Sequence, residues 1–255
     1  MTTHDTTASG RTAPRAATVG AAAGGGTGDA ADAVASPRAP APTRARPQPR
    51  GWALAGIAAG VTGLVGIQAS LALGVNWEQT AGDADAIVAD LSGRTAALLL
   101  FHTATVISAL LTVVFAAGLS RRLAQQAPAG SLLPAVASGG LLLVAVAGLL
   151  GTGLDTQFMF GFADPELIVP ESGAFFSDWV ATIPWLWVGA GLAGVALAVA
   201  ALRHAAAPRW LGWVGAVLGG LTLLLGMSPL QYMAGFTGPL WLLLTAIGFA
   251  VGDRR

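Results

Sequence analysis

Residues 95–119 read TAALLLFHTATVISALLTVVFAAGL, a run without Asp, Glu, Lys or Arg that ends just before Ser120, Arg121 and Arg122. A helix rises 1.5 Å per residue, so about 20 apolar residues cross the roughly 30 Å hydrocarbon core of a bilayer. This run is long enough to cross, and the arginine pair marks its end. Five further apolar segments repeat the pattern at 52–75, 132–154, 180–202, 210–227 and 234–252. The last is interrupted by Thr237, Gly238 and Pro239, with Pro239 expected in its first turn, where a missing N–H costs little. No segment alternates with period two over about ten residues, as a strand of a membrane barrel does. The sequence therefore predicts an all-α polytopic membrane protein with six transmembrane helices.

Composition agrees with that class. Of the 255 residues 54% are apolar and 10% charged, with a mean hydropathy of +0.67. Soluble domains carry about 25% charge, because a water-facing surface needs it and a lipid-facing one does not. Cys is absent, which removes disulfides, thiolate metal sites and thiol nucleophiles. All 13 basic residues are Arg, so lysine Schiff-base chemistry is also excluded.

Arginine sets the expected orientation, since short cytoplasmic connections are enriched in basic residues. Six Arg precede the first segment, Arg121 and Arg122 follow the second, Arg203 and Arg209 separate the fourth from the fifth, and Arg254 and Arg255 end the chain. Arg94 alone falls on the other side, beside Glu78, Asp83, Asp85 and Asp90. An even number of crossings with both termini in the cytoplasm satisfies this distribution, in an inner (plasma) membrane. Residues 1–50, rich in Ala, Gly, Pro and Arg, have almost no large apolar side chains to bury and are expected to form a disordered cytoplasmic arm, leaving 51–255 as the transmembrane domain.

Between helices in lipid there is no hydrophobic drive, and small residues let backbones approach. Gly56 with Gly60 and Gly215 with Gly219 form G-x-x-x-G pairs, expected to serve packing within the bundle. Trp52, Trp77, Trp179, Trp210 and Tyr232 fall near segment ends and are expected as interfacial anchors.

Polar groups inside the bilayer are costly unless paired, which makes them the best pointers to a site. His102 lies about 10 Å in from the start of the second segment at 1.5 Å per residue. Gln68 of the first segment is expected at the same depth. Thr152 and Gln231 also fall in that half, followed along the second segment by Thr103, Thr105 and Ser108. Either His102 makes a structural interhelical bond to Gln68 or Thr152, or His102, Gln68, Thr152 and Gln231 line a small-molecule pocket open to the outside. Residues 155–179 are expected as a long outer loop whose Asp155, Asp164, Glu166 and Glu171 form a solvated acidic face or a divalent-cation site, and whose phenylalanines lie along the outer leaflet or fold over the pocket as a lid.

Motifs for nucleotide binding, zinc proteolysis and serine hydrolysis are absent. No catalytic residues, metal or cofactor are expected. The segment APRWLGWVGAVLGG at 207–220, with six short spans and a long outer connection, resembles the DUF4386-like group of uncharacterised bacterial membrane proteins. The Ala/Gly-rich, Arg-only composition looks actinobacterial. That resemblance implies a multi-pass helical fold and carries no site residues. The expected role is a non-catalytic small-molecule- or lipid-binding or accessory membrane protein. A small secondary transporter comes second, and a membrane enzyme using outer-face carboxylates third. Expected partners are the bilayer, a small molecule or lipid, or another protein, and no nucleic acid.

Overall fold

The computed structural model describes residues 50–252 apart from Ala81 and residues 183–185. The expected disordered arm, except Arg50, and the tail residues Arg254 and Arg255 lie outside the described residues, as does the side chain of the expected anchor Trp77. The helices follow in order: α1 (Gly51–Leu71), a single turn α2 (Trp77–Thr80), α3 (Ala84–Ser92), α4 (Thr95–Ala124), α5 (Leu133–Ala163), α6 (Pro170–Thr182), α7 (Val188–His204), α8 (Arg209–Met227) and α9 (Ala234–Gly252). Among the described residues there is no strand. The protein is an all-α polytopic membrane protein.

Five helices, α1, α4, α5, α8 and α9 with its lead-in from Gln231, are long and apolar enough to cross a membrane. The 17-residue α7 is shorter, but it runs antiparallel beside α8. Val188 lies against Gly226 at one end of the pair, and Ala201 and Leu202 lie against Gly212 at the other. It thus matches nearly the whole depth of a helix that does meet the length.

Two expected boundaries are wrong. The third segment does not stop at residue 154, because α5 runs to Ala163 and keeps its helical period, with Asp155, Phe158 and Phe162 all on its buried face. One carboxyl does not end a helix whose following residues still have a core to enter. The fourth segment does not begin at 180. Val180 belongs to α6, which buries Gly173, Phe176, Ser177 and Val180 while exposing Glu171 and Asp178. That spacing of i, i+3, i+4 and i+7 makes a helix that lies on a surface rather than crossing. Pro239 also sits deeper than the first turn, as the sixth residue of α9, buried and close to Gly63.

These six helices form a bundle in which α1 packs between α4 and α9, α4 against α5, α5 against α7, and α7 against α8 and α9. Its core holds Trp52 between Phe115 and Phe249, with ring centroids 5.5 and 5.2 Å apart. Trp52 is therefore a core residue, 9% exposed, and not the interfacial anchor expected, whereas Trp210 stays exposed. A second core sits at the other end, where α3 and α6 cap the bundle. There Phe158, Phe162 and Phe176 pack at 4.6 to 5.9 Å among Ile87, Val88, Leu98 and Phe101. Asp83 starts α3 by accepting the Ala86 N–H at 3.0 Å.

The described arginines sort by end. Arg50, Arg121, Arg122, Arg203 and Arg209 lie at helix termini away from the cap. Arg94 is at the capped end and is held there: it donates to the carbonyls of Ala72 at 3.1 Å and Gly74 at 2.7 Å and pairs with Asp90 at 2.6 Å. Carbonyls beyond a helix C-terminus lack partners of their own, and a guanidinium fork supplies them.

Glycine sets the distances inside the bundle. A Cβ on Gly56 would strike Phe115 and Ala246, and one on Gly60 would meet Leu243, so this pair faces α4 and α9. Gly215 and Gly219 face Gly194 of α7 across a five-residue π turn, Gly215–Gly219, in α8. The tightest crossing joins α5 to α7, where a Cβ on Gly140 would overlap the Gly189 carbonyl oxygen and the reverse holds too. The G-x-x-x-G pairs therefore pack within one chain. Past its end, α7 turns at Ala205 with φ of +51°, and the Ala206 N–H returns to the Ala200 carbonyl at 3.0 Å.

Adjacent glycines give a direct test. Gly140→Ala should lower the unfolding free energy in mixed micelles by about 2 kcal/mol, through forced separation of α5 and α7. A Cβ at Gly139 meets nothing within 4 Å. Gly139→Ala should instead be neutral, or stabilising by up to about 1 kcal/mol from helix propensity.

Candidate functional site

The stripe Phe101, Thr105, Ser108 and Thr112 runs down one face of α4 at spacings of four, three and four residues, the period of a helix. Opposite it, α1 presents Gly63, Gly66 and Ile67, and α5 presents Val144 and Gly148. Where α1 lacks side chains the helices leave a cavity of about 40 Å³, closed on a further side by Leu186 and Trp187. One buried water needs about 10–15 Å³ measured this way, so the space admits about three waters or a small chemical group.

Its three hydroxyls are not equivalent. Thr105 donates to the Phe101 carbonyl at 2.7 Å, within its own helix. Ser108 donates across to the Ala59 carbonyl of α1 at 2.9 Å, tying the two helices together. Thr112 is fully buried, and its hydroxyl has no partner. Hydroxyls in helices ordinarily turn back to a carbonyl three or four residues before, as Thr62, Thr152 and Thr222 do here. Thr112 does not, and a buried polar group left unsatisfied costs about 1–3 kcal/mol. Two more core atoms share this state, the Trp241 indole N–H and the Thr245 hydroxyl, four residues apart on α9.

The expected quartet does not assemble. Gly66 faces Ala104 and Thr105, so Gln68 and His102 are level, as their depths predicted. Rotation separates them: Gln68 is exposed in an apolar groove with Val61, Leu64, Val65 and Leu100. His102 is half-buried and its Nδ1 has no partner. Thr152 donates to Gly148 and Leu149 of its own helix at 3.0 and 3.1 Å. The Gln231 side-chain amide, correctly oriented, donates to the Ser228 and Pro229 carbonyls at 2.7 and 3.1 Å, within its own turn. The expected contact of His102 with Gln68 or Thr152 is thus not made, because depth is readable from residue number whereas facing direction depends on how each helix is rotated.

The acidic residues do not gather either. Asp155 lies inside α5, fully buried, with neither carboxyl oxygen bonded. Asp164 caps the end of α5 and accepts the Glu166 N–H at 3.3 Å, while Glu166 and Glu171 are exposed. Among the described residues no three of His, Asp and Glu stand close enough to hold a metal ion. The residues missed by sequence reasoning were Gly63, Gly66 and Thr112. The signal for Thr112 was present, as the third hydroxyl, after Thr105 and Ser108, of the stripe that follows His102.

Two neighbouring hydroxyls should respond in opposite senses. Thr112→Val keeps the shape, removes the orphaned hydroxyl and should raise the unfolding free energy by about 1 kcal/mol. Ser108→Ala loses the bond to α1 and should lower it by about the same amount. Detergent denaturation followed by tryptophan fluorescence would read both.

Compared with known proteins, the chain matches no family model, no curated protein and no solved structure, so the functional reading stands on the geometry of the cavity.

Proposed function

We propose that this is a non-catalytic membrane protein that binds a small, largely apolar molecule in the cavity between α1, α4 and α5. The observation that carries the reading is the Thr112 hydroxyl, buried at the cavity with its hydrogen-bonding capacity unused. A ligand with one hydroxyl or carbonyl group would satisfy it, while Ile67, Phe101 and Val144 would cover an apolar remainder. The size of the space fits a compact molecule or the terminal segment of a longer lipid. The capped end faces outward in this reading, and both termini lie in the cytoplasm of a bacterial cell. Support comes from the arginines gathered at the opposite end and from Arg94, the exception, being neutralised by Asp90.

Secondary transport is the second reading, favoured by one observation, the unpaired Asp155 within a crossing helix. An enzyme using paired carboxylates draws no support, since no two of the described acids line the cavity.

Native mass spectrometry of the full chain released from nanodiscs tests the binding reading. A Cβ on Gly66 would lie 3.1 Å from the Thr105 hydroxyl, so Gly66→Leu fills the space. The wild type should carry an adduct that Gly66→Leu loses and Thr112→Val retains at reduced occupancy. The adduct's mass would separate a lipid from a smaller molecule. Equal adducts in wild type and Gly66→Leu would refute the reading, as would their absence from both.

A further inference from the structure

Asp155 is the one acidic residue among those described that is fully buried, and both of its oxygens lack a hydrogen-bond partner. At 1.5 Å per residue it lies about 33 Å along α5 from Leu133, near the outer limit of a roughly 30 Å hydrocarbon core and beneath the cap. A lone carboxylate there is unfavourable by several kcal/mol unless a positive charge accompanies it.

The described residues supply no such charge in contact. Of the elements packed on α5, α7 has basic residues only at its far end, Arg203 and His204. The cap and the turn at Pro165–Leu167 bring acids alone, Asp85, Asp90, Glu166, Glu171 and Asp178, and α5 itself ends on Asp164. On the α4 side stand Arg94, engaged with Asp90 and two carbonyls, and His102. Among the described residues no His or Arg nitrogen lies within the 4.0 Å of an ion pair with Asp155. His102 is nonetheless level with it. Gly148 faces Ala109 and Thr105 across the antiparallel α4–α5 contact, so Asp155, seven residues on, comes level with the stretch from Leu98 to His102. The Nδ1 of His102 is likewise buried and without a partner.

We propose that Asp155 is a binding site for one small positive charge, a proton or an alkali cation, entering from the capped face, with His102 at the same depth. A carboxylate balances the charge of either occupant, and an imidazole can pass on a proton or lend a lone pair. A divalent ion would bring two positive charges to a single carboxylate, and no cluster of further acids joins Asp155 among the described residues. The exposed acids of the cap raise the local concentration of cations at the entrance. Asp155 is not among the residues lining the cavity, so this site stands apart from the binding reading above.

The test uses dicyclohexylcarbodiimide, an apolar reagent that modifies protonated carboxyls, on the full chain in nanodiscs, with peptide mapping by mass spectrometry. In sodium-free neutral medium Asp155 should be modified while the exposed Glu166 and Glu171 are not, and Asp155→Asn should remove the labelled peptide. If the resident charge is a proton, sodium chloride at constant ionic strength leaves the rate unchanged. If it is an alkali cation, sodium protects, and ten times its Kd slows labelling about tenfold. Labelling of Asp155 no faster than that of Glu166 and Glu171 in sodium-free medium would overturn the proposal. Because neither readout involves the cavity, Gly66→Leu should label like the wild type, and failure here would leave the adduct experiment untouched.

Discussion

Backbone contact through glycine is the constraint on which the bundle depends. In lipid the separated helices already bury their apolar side chains, so association rests on close packing and on a few polar bonds. Gly140 against Gly189 fixes α7 to α5, and Gly194 against Gly219 fixes it to α8. The π turn at Gly215–Gly219 lies in this second contact, inserting an extra residue per turn where two helices run nearly backbone to backbone. Once α7 is seated, Trp241 and Leu242 of α9 close the centre, and α1 and α4 complete the ring. The cavity follows from the same choice of residue. Where glycine meets a backbone the helices touch; where Gly63 and Gly66 meet the hydroxyl stripe of α4, space remains.

Polar side chains in the bundle divide by whether their bonding capacity is used. Ser108 to Ala59, Ser70 to Tyr232 at 2.7 Å and Thr222 to Thr237 at 2.8 Å are spent on joining helices. Thr112, Thr245, Trp241 and Asp155 are not. Of these, Thr112 lines the cavity and Asp155 is the buried acid, while Trp241 and Thr245 stand away from both. It is the position of Thr112 at a cavity and of Asp155 as a lone buried acid, rather than lack of a partner alone, on which the two proposals rest.

Much of the fold was legible because two of its determinants are one-dimensional. Apolar run length gives the crossings, and the arginines mark which connections share an end. The errors came where a run changed character without changing composition. Asp155 resembled the end of a segment, although Phe158 and Phe162 beyond it continue the helical face. Val180 resembled a beginning, although Asp178 and Glu171 make α6 two-sided. The site was less legible for a geometric reason. The depths of Gln68 and His102 could be counted, and they agree, but each helix's rotation is set by which glycines its neighbours demand. That information is distributed over several helices and is not contained in either residue's own segment.

The interior of α7 limits what substitution can do to this protein. Its buried positions are Gly189, Ala190, Gly191, Ala193, Gly194, Ala196, Leu197, Ala198, Ala200 and Ala201, nine of the ten Gly or Ala. Mutational damage in most cores runs both ways, towards voids and towards crowding. Along α7 almost every change adds volume, so drift there is one-directional, and relief requires a matching reduction on α5, α8 or α9. Trp52, Phe115 and Trp241 face the opposite restriction, since they can only shrink. Heritable variation in this helix should therefore be paired with variation in its neighbours, small for large across the same contact.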